Sequence, residues 1–276
     1  MSSNLRAIQK RLKSVTSIQK ITRSMRMVSA AKYARAEKLL SDVKDFGLGT
    51  KVFYNLFPVE KEAKDGGGVA AFAVTSDRGL CGACHNVVSK RVVKYLEGVP
   101  ENPQVVCVGE KSRSILRYRF KDNILLTVGQ VGQKPPTFLD ASRIVIEANE
   151  LGLGEMSWFI AYNKFESIVK YETSEMEIAS VKSITDSVEM YKYEVEEPED
   201  LVDYLEFSRP ALLFYAMCES SCSEQSSRMT AMDNASKNAS EMIGRLQLQY
   251  NRNRQRLITT ELIEIISGAS ALEKEE

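Results

Sequence analysis

The chain has 276 residues, 43% of them hydrophobic, which is enough apolar material to bury a substantial core. Its 37 basic and 37 acidic residues balance, which excludes a global bias toward nucleic acid or an anionic surface, and no run of about 18 apolar residues could cross a bilayer. Five cysteines, an odd count in a chain too large to need covalent staples, fit free thiols in a reducing compartment, and no structural disulfide is expected.

The balanced charge is unevenly placed. Residues 1–35 carry nine Lys or Arg and no acid, whereas residues 186–206 carry nine acids against the single base Lys192. Opposite fields on different surfaces suit different partners.

Taken in chain order, the first 46 residues contain neither glycine nor proline. As a helix they would span about 70 Å, well beyond the roughly 30 Å of a small domain. Apolar residues at Leu5, Ile8, Leu12, Val15, Ile18, Ile21, Met25 and Val28 step by three and four with one extra step of three. That pattern predicts a coiled-coil seam with a stammer near Ile18. The basic, Ser-rich N-terminus also has the composition of a mitochondrial transit peptide. Against that reading, the helical pattern runs on through Ala30, Ala31 and Lys38 without a cleavage-like break.

Gly66-Gly67-Gly68 marks a loop, and alternating strand and helix chemistry follows it. Strands are predicted at Val69–Thr75, Gln104–Val108, Ile124–Val128 and Met156–Tyr162, and helices at Ala83–Leu96, Ser112–Phe120 and Phe138–Glu150. Such alternation predicts a parallel, doubly wound sheet. Ser167–Tyr171 and Met176–Val181 read as two further strands forming an edge hairpin, and Glu194–Asp203 as an acidic turn before the final helix.

After Pro210 only Gly244 interrupts the chain before Gly268, which predicts a second helix of about 85 Å. Its seam runs Met229, Met232, Ala239, Ile243, Leu246 and Tyr250, then shifts to Ile258, Leu262, Ile265, Ala269 and Leu272. The fold expected is therefore α/β, with a long antiparallel two-helix coiled coil from the two ends and a Rossmann-like doubly wound domain between them. The segments are 1–60, 66–192 and 208–276, and the longer C-terminal helix should protrude alone at its tip.

Chemical motifs are few. Cys81-Gly82-Ala83-Cys84-His85 has the spacing of covalent haem attachment, with the single histidine of the chain in the axial position. Haem attachment accompanies export, however, and no signal peptide precedes the motif. Its place in a strand-to-helix turn favours structural thiols, with a redox pair as the alternative. The turn after Thr75, Ser76-Asp77-Arg78-Gly79-Leu80-Cys81-Gly82, lacks the phosphate-cradling glycines of nucleotide folds, and Gly129-Gln130-Val131-Gly132 is equally incomplete. No metal or acid–base constellation stands out. Arg6, Lys10, Lys13, Lys20, Arg23 and Arg26 form a basic stripe without stacking aromatics, which reads as a solvated face or as a contact for acidic protein loops. A second basic cluster holds Arg245, Arg252, Arg254 and Arg256. Arg254 with Gln255 has the fork geometry to engage carboxylates.

Four segments, in order and covering nearly the whole chain, resemble the gamma subunit of the rotary ATP synthase, with wording closest to mitochondrial members. They are IQKITRSMRMVSAAKYARAEK (Ile18–Lys38), TSDRGLCGACHN (Thr75–Asn86), SEQSSRMTAMDNASKNASEMI (Ser223–Ile243) and NRNRQRLITTELIEIISGASAL (Asn251–Leu272). The resemblance implies a central rotor stalk, not itself catalytic and without cofactor or metal. Its implied partners are the alpha and beta subunits of the head, the membrane rotor ring and small central-stalk subunits, and not nucleic acid. Its implied place is the matrix side of the mitochondrial inner membrane. Carried over by residue, Arg254 and Gln255 match the contact with a catalytic subunit's catch loop. Arg23, Met25 and Arg26 match the shaft passing the acidic lever regions, and Ile258, Leu262 and Ile265 belong to a tip that turns in an apolar sleeve. Tyr193 and Glu194 fall on the foot that faces the rotor ring. Two departures stand out: Cys84 is not usually cysteine in that family, and the insert that carries a regulatory cysteine pair in chloroplast members is absent. Cys218 and Cys222 lie one helical turn apart and do not replace it.

Overall fold

Helices of 52 and 75 residues open and close the described chain. In sequence order the elements are α1 (Ser3–Tyr54), β1 (Val69–Val74), α2 (Cys84–Leu96), β2 (Gln104–Val108), α3 (Glu110–Phe120), β3 (Ile124–Val128), α4 (Phe138–Glu150), β4 (Ser157–Phe165), β5 (Tyr171–Ile178), α5 (Val181–Thr185) and α6 (Pro198–Leu272). The computed structural model describes residues 3–57, 68–99, 103–193, 195 and 198–272. By their contacts the residues fall into two units, one of Met1–Val28 with Ala231–Glu276 and one of Ser29–Thr230.

In the second unit the strands run in the order β3-β2-β1-β4-β5. The first four are parallel, and β5 returns antiparallel against β4 as a hairpin edge. Side chains of a strand alternate between faces, and in β1, β2 and β4 both faces are covered, which is why these strands read as apolar runs. Ala70, Phe72, Val74, Val106, Val108, Trp158, Ile160 and Tyr162 point into one core with α1 residues Tyr33 to Tyr54, α4 and the first part of α6. Val69, Ala71, Ala73, Val105, Cys107, Phe159 and Ala161 point into the other, under α2 and α3. Gly47 interrupts the glycine-free run but not the helix. A Cβ there would lie 2.3 Å from the Tyr215 ring, so the glycine serves the close approach of α1 and α6.

Burial along α1 keeps strict heptad phase: Ile8, Val15, Thr22, Ser29, Ala36 and Val43, each seven residues after the last, are all buried. The stammer expected at Ile18 is therefore absent. Ile18, Ile21 and Val28 are exposed, and the seam passes instead through Gln19 and Thr22. Tracing apolar identities gave the wrong line because a polar pair can occupy a seam position when each side chain satisfies the other. In α6, Met232, Ala239 and Leu246 are buried at the same seven-residue interval, with Ile243 and Tyr250 half-buried.

Two further expectations are corrected. Ser167–Lys170 forms the turn of the β4–β5 hairpin, not a strand, and Ile168 and Val169 are exposed at its tip. The acidic segment before the last helix is in part helix already, since α6 begins at Pro198. Glu199 and Asp200 lie in its first turn, where carboxylates complement the exposed N–H groups. Glu194, Glu196 and Glu197 lie outside the described residues. α6 continues through Pro210, which forgoes only one backbone hydrogen bond near its start.

Candidate functional site

In the first unit, α1 and α6 pair antiparallel. Ile8, Leu12 and Val15 pack against Ala239, Ile243, Leu246 and Tyr250. Gln19 donates from Nε2 to Ser240 Oγ at 2.6 Å, and Arg26 meets Asp233 at 2.5 Å, with Lys237 on the second oxygen of Asp233 at 2.8 Å. Both cross-links fix one register, in which the buried Leu5 stands opposite position 254. From position 257 onward α6 has no described residue of α1 to face, and residues 258–270 are all exposed.

The structure groups the predicted contact residues by kind. Arg254 and Gln255 are exposed at the end of the two-stranded stretch. The Gln255 carbonyl accepts from Thr259 Oγ1 at 3.0 Å, an ordinary intrahelical contact. Ile258, Leu262 and Ile265 are 56%, 55% and 69% exposed, an apolar surface that nothing among the described residues covers. Arg23 is exposed, Met25 is half-buried, and Arg26 is committed to Asp233, so its guanidinium is a strut of the pair before it is a free cation. Tyr193 is exposed in part and sets its ring edge-on to Phe53 at 5.7 Å. Glu194 lies outside the described residues.

In the second unit, a crevice of about 470 Å³ lies at the C-terminal ends of the strands, bordered by Val74, Ser76, Val128 and Asn163. Ligands of open α/β sheets bind at this edge, where the strand order reverses between β1 and β4. Here the carboxylates of Glu224 and Asp140 line it beside Lys134 and Arg143, and the 129–132 loop with its Gly129 and Gly132 lacks the full pattern of a phosphate cradle. Among the described residues no cluster of three His, Cys, Asp or Glu could hold a metal ion.

The wall of the crevice is the cysteine motif. Cys81, Cys84 and His85 are buried. His85 Nε2 donates to the Arg78 carbonyl at 2.8 Å, so the ring nitrogen is engaged in holding the turn. Burial alone would lower the His85 pKa, but the hydrogen bond and charge of Cys81, followed by Glu224, raise it overall. Asn163 is the hub beneath. Its Nδ2 donates to the Cys84 carbonyl at 2.8 Å and to Cys84 Sγ at 3.0 Å, and its Oδ1 accepts from Thr173 at 2.9 Å.

A run of α6 closes this wall, and sequence reading gave it no structural role. Ser227 Oγ donates to the Cys81 carbonyl at 2.6 Å, Arg228 Nε donates to the Gly79 carbonyl at 3.1 Å, and Arg228 pairs with the buried Glu224. Ser223 donates to the Asn163 carbonyl at 3.0 Å, and Glu219 accepts from Phe165 N–H and Tyr215 O–H, both at 2.7 Å. The polar string Glu219–Arg228 is a set of bolts between a helix and the edge of a sheet. The signal was present as a polar stretch on a helix whose flanks are apolar, but its partners are far away in sequence.

A helical pair with a lone, apolar, solvent-facing extension and a doubly wound α/β unit define the class of long-shafted α/β stalk proteins. The sequence model described as ATP synthase matches residues 4–272. The mitochondrial ATP synthase gamma subunit of Drosophila melanogaster is 49% identical over 270 residues, covering 98% of this chain and 91% of that protein. The corresponding F(1) complex gamma subunit of Rattus norvegicus is 43% identical, covering 98% and 100%. The rotor of the Euglena gracilis mitochondrial ATP synthase has the same fold, with a TM-score of 0.77 at 18% identity over 92% of this chain and 99% of that one. The chain belongs to the ATP synthase gamma-subunit family.

Proposed function

We propose that this chain is the central rotor stalk of a mitochondrial ATP synthase, peripheral on the matrix side of the inner membrane, where it carries torque between a membrane rotor ring and the alpha and beta subunits of the head. The observation that carries the reading is the lopsided helical pair. One helix outruns the other and leaves residues 258–270 uncovered, while the family relationship spans nearly all of the sequence. A single shaft inside a three-fold ring presents a different face to each catalytic subunit. Differential contact with each conformation is what any coupling between rotation and site affinity requires.

In this reading the chain performs no chemistry itself. Its work is stiffness and asymmetry. The exposed Arg254 and Gln255 engage a carboxylate-bearing loop of a catalytic subunit. Arg23 and Met25 present the flank of α1 to acidic regions, with Arg26 holding that flank through Asp233. Ile258, Leu262 and Ile265 rotate in an apolar bearing. Tyr193 and Glu194 belong to the surface that meets the rotor ring and small stalk subunits.

The test is reconstitution with alpha and beta subunits and a bead fixed to this chain. Unidirectional stepping of the bead during ATP hydrolysis supports the proposal. Hydrolysis of undiminished, coupled rate in a complex lacking this chain overturns it.

A further inference from the structure

We propose that Cys81 and Cys84 form an oxidisable dithiol, at which a small peroxide admitted through the crevice at the end of the sheet closes a reversible disulfide. Three independent observations meet here. The Cys84 N–H donates to the Cys81 carbonyl at 3.4 Å, closing a turn that brings the two cysteines together just ahead of α2, with Cys84 its first residue. Asn163 Nδ2 donates to Cys84 Sγ at 3.0 Å, which fixes that sulfur in place. The crevice is lined by Cys84 and His85, with the buried Cys81 one turn behind them, and opens past the exposed Gln130, Gln133 and Lys134, so an uncharged molecule the size of hydrogen peroxide can approach the wall that holds the pair.

Acidity separates this pair from the other cysteines. The hydrogen bond from Cys84, followed by the hydrogen bond and charge of His85, draws the Cys81 thiol down to about 4 against the cost of burial. The same hydrogen bond, with burial, raises Cys84. Cys81 is thus the more acidic and Cys84 the less acidic thiol of the turn, beside an imidazole whose own pKa is raised, which is the arrangement that makes a two-cysteine turn reactive. The contact of Cys81 Sγ with the Arg78 carbonyl, at 3.9 Å, is too long to compete for the thiol proton. Burial instead pushes Cys107 to about 11 and Cys218 and Cys222 to about 12, so these remain inert thiols.

The chemistry balances with peroxide as the oxidant. The thiolate attacks one peroxide oxygen and the O–O bond breaks. The departing hydroxide takes a proton from solvent to become water, leaving a sulfenic acid. The second thiol then attacks the sulfenic sulfur, and its proton leaves with the hydroxyl as a second water. Two sulfurs are oxidised by one electron each, and one peroxide is reduced to two waters.

Both cysteines fall in one tryptic peptide, Gly79–Lys90, which makes the test direct. The full chain is exposed to hydrogen peroxide, then alkylated and digested. The expected product is that peptide lighter by two hydrogens and carrying no alkyl group, restored by a thiol reductant, while Cys107, Cys218 and Cys222 stay alkylated. Loss of free Cys81 should run at least about tenfold faster than loss of free Cys107. In Cys84→Ser a dimedone adduct on Cys81 should replace the disulfide. Equal oxidation of Cys107, a disulfide-linked dimer, or a peptide 79–90 that stays fully alkylated would each overturn the proposal, and none of these readouts depends on a variant folding.

Discussion

Arg228 donates from Nε to the carbonyl oxygen of Gly79 across 3.1 Å while its terminal nitrogen pairs with Glu224 one turn back on the same helix. The side chains of the ion pair are 9% and 5% exposed, so α6 is joined to the β1–α2 turn through a charge that has left water. A pair in that position contributes little compared with an apolar substitute, but breaking it strands its partner.

Replacing Arg228 alone by Met should therefore destabilise the chain by about 3–5 kcal/mol, because Glu224 stays buried and uncompensated. Replacing both, as Arg228→Met with Glu224→Gln, should recover part of that loss. Urea midpoints of the three proteins measure it. A single variant as stable as the parent would mean that the pair does not hold α6 to the turn.

The seam assignment makes opposite predictions for residues of the same type. Ile8 is buried at 6% exposure and Ile18 is exposed at 51%. Ile8→Ala should cost about 2 kcal/mol or more, whereas Ile18→Ala should fall within about 0.5 kcal/mol of the parent. Thermal melting of the two variants decides it, and equal losses would restore the shifted seam expected from apolar spacing.

Two glycines in helices also separate by sign. At Gly47 an added methyl would meet the Tyr215 ring at 2.3 Å, whereas at Gly244 it would meet nothing within 4 Å. Gly47→Ala should destabilise by about 1–3 kcal/mol through overpacking, and Gly244→Ala should stabilise by roughly 0.5–1 kcal/mol through helix propensity. Gly109 is a harsher case. Its φ is 101° and its Cβ would lie 2.7 Å from the Ser76 backbone, so Gly109→Ala should express poorly or melt well below the parent.

Arg254→Ala with Gln255→Ala tests the torque contact without disturbing the fold, since both residues are exposed and make no tertiary hydrogen bond among the described residues. ATP hydrolysis by the reconstituted complex should drop on the order of tenfold, the effect of losing a fork-shaped contact at an interface. The melting temperature of the free chain should not move. Unchanged turnover would remove these residues from the power-transmitting surface.

Much of the second unit was legible because its central strands, β1, β2 and β4, are buried on both faces. β2, β3 and α4 fall within the limits that turn residues and apolar runs suggest, and β1 differs only at Thr75, whose hydroxyl bonds to the Val108 carbonyl. The hairpin turn was missed because Ile168, Val169 and Tyr171 are strand-forming by type, whereas the reversal is held by the backbone hydrogen bonds between Ser167 and Lys170 and by Ser226 of α6 donating to the Ile168 carbonyl. The seam was misread at Ile18 for a related reason. Gln19 and Ser240 are 221 positions apart, and their mutual satisfaction has no local trace. Of the contact residues, exposure of Arg254, Gln255 and the apolar tip followed from pattern, whereas the engagement of Arg26 with Asp233 did not.

The unpaired end of α6 bears on how such a protein lives in the cell before it meets its partners. A solitary helix of this length is marginal in water, and its Ile263 and Ile266 are as uncovered as the residues already discussed. Newly made, unassembled chains would thus display an oily, fraying terminus that chaperones can hold and proteases can trim. Enclosure by a complete head would hide that signal, so orphan copies are marked for disposal by the same residues that fit the finished machine.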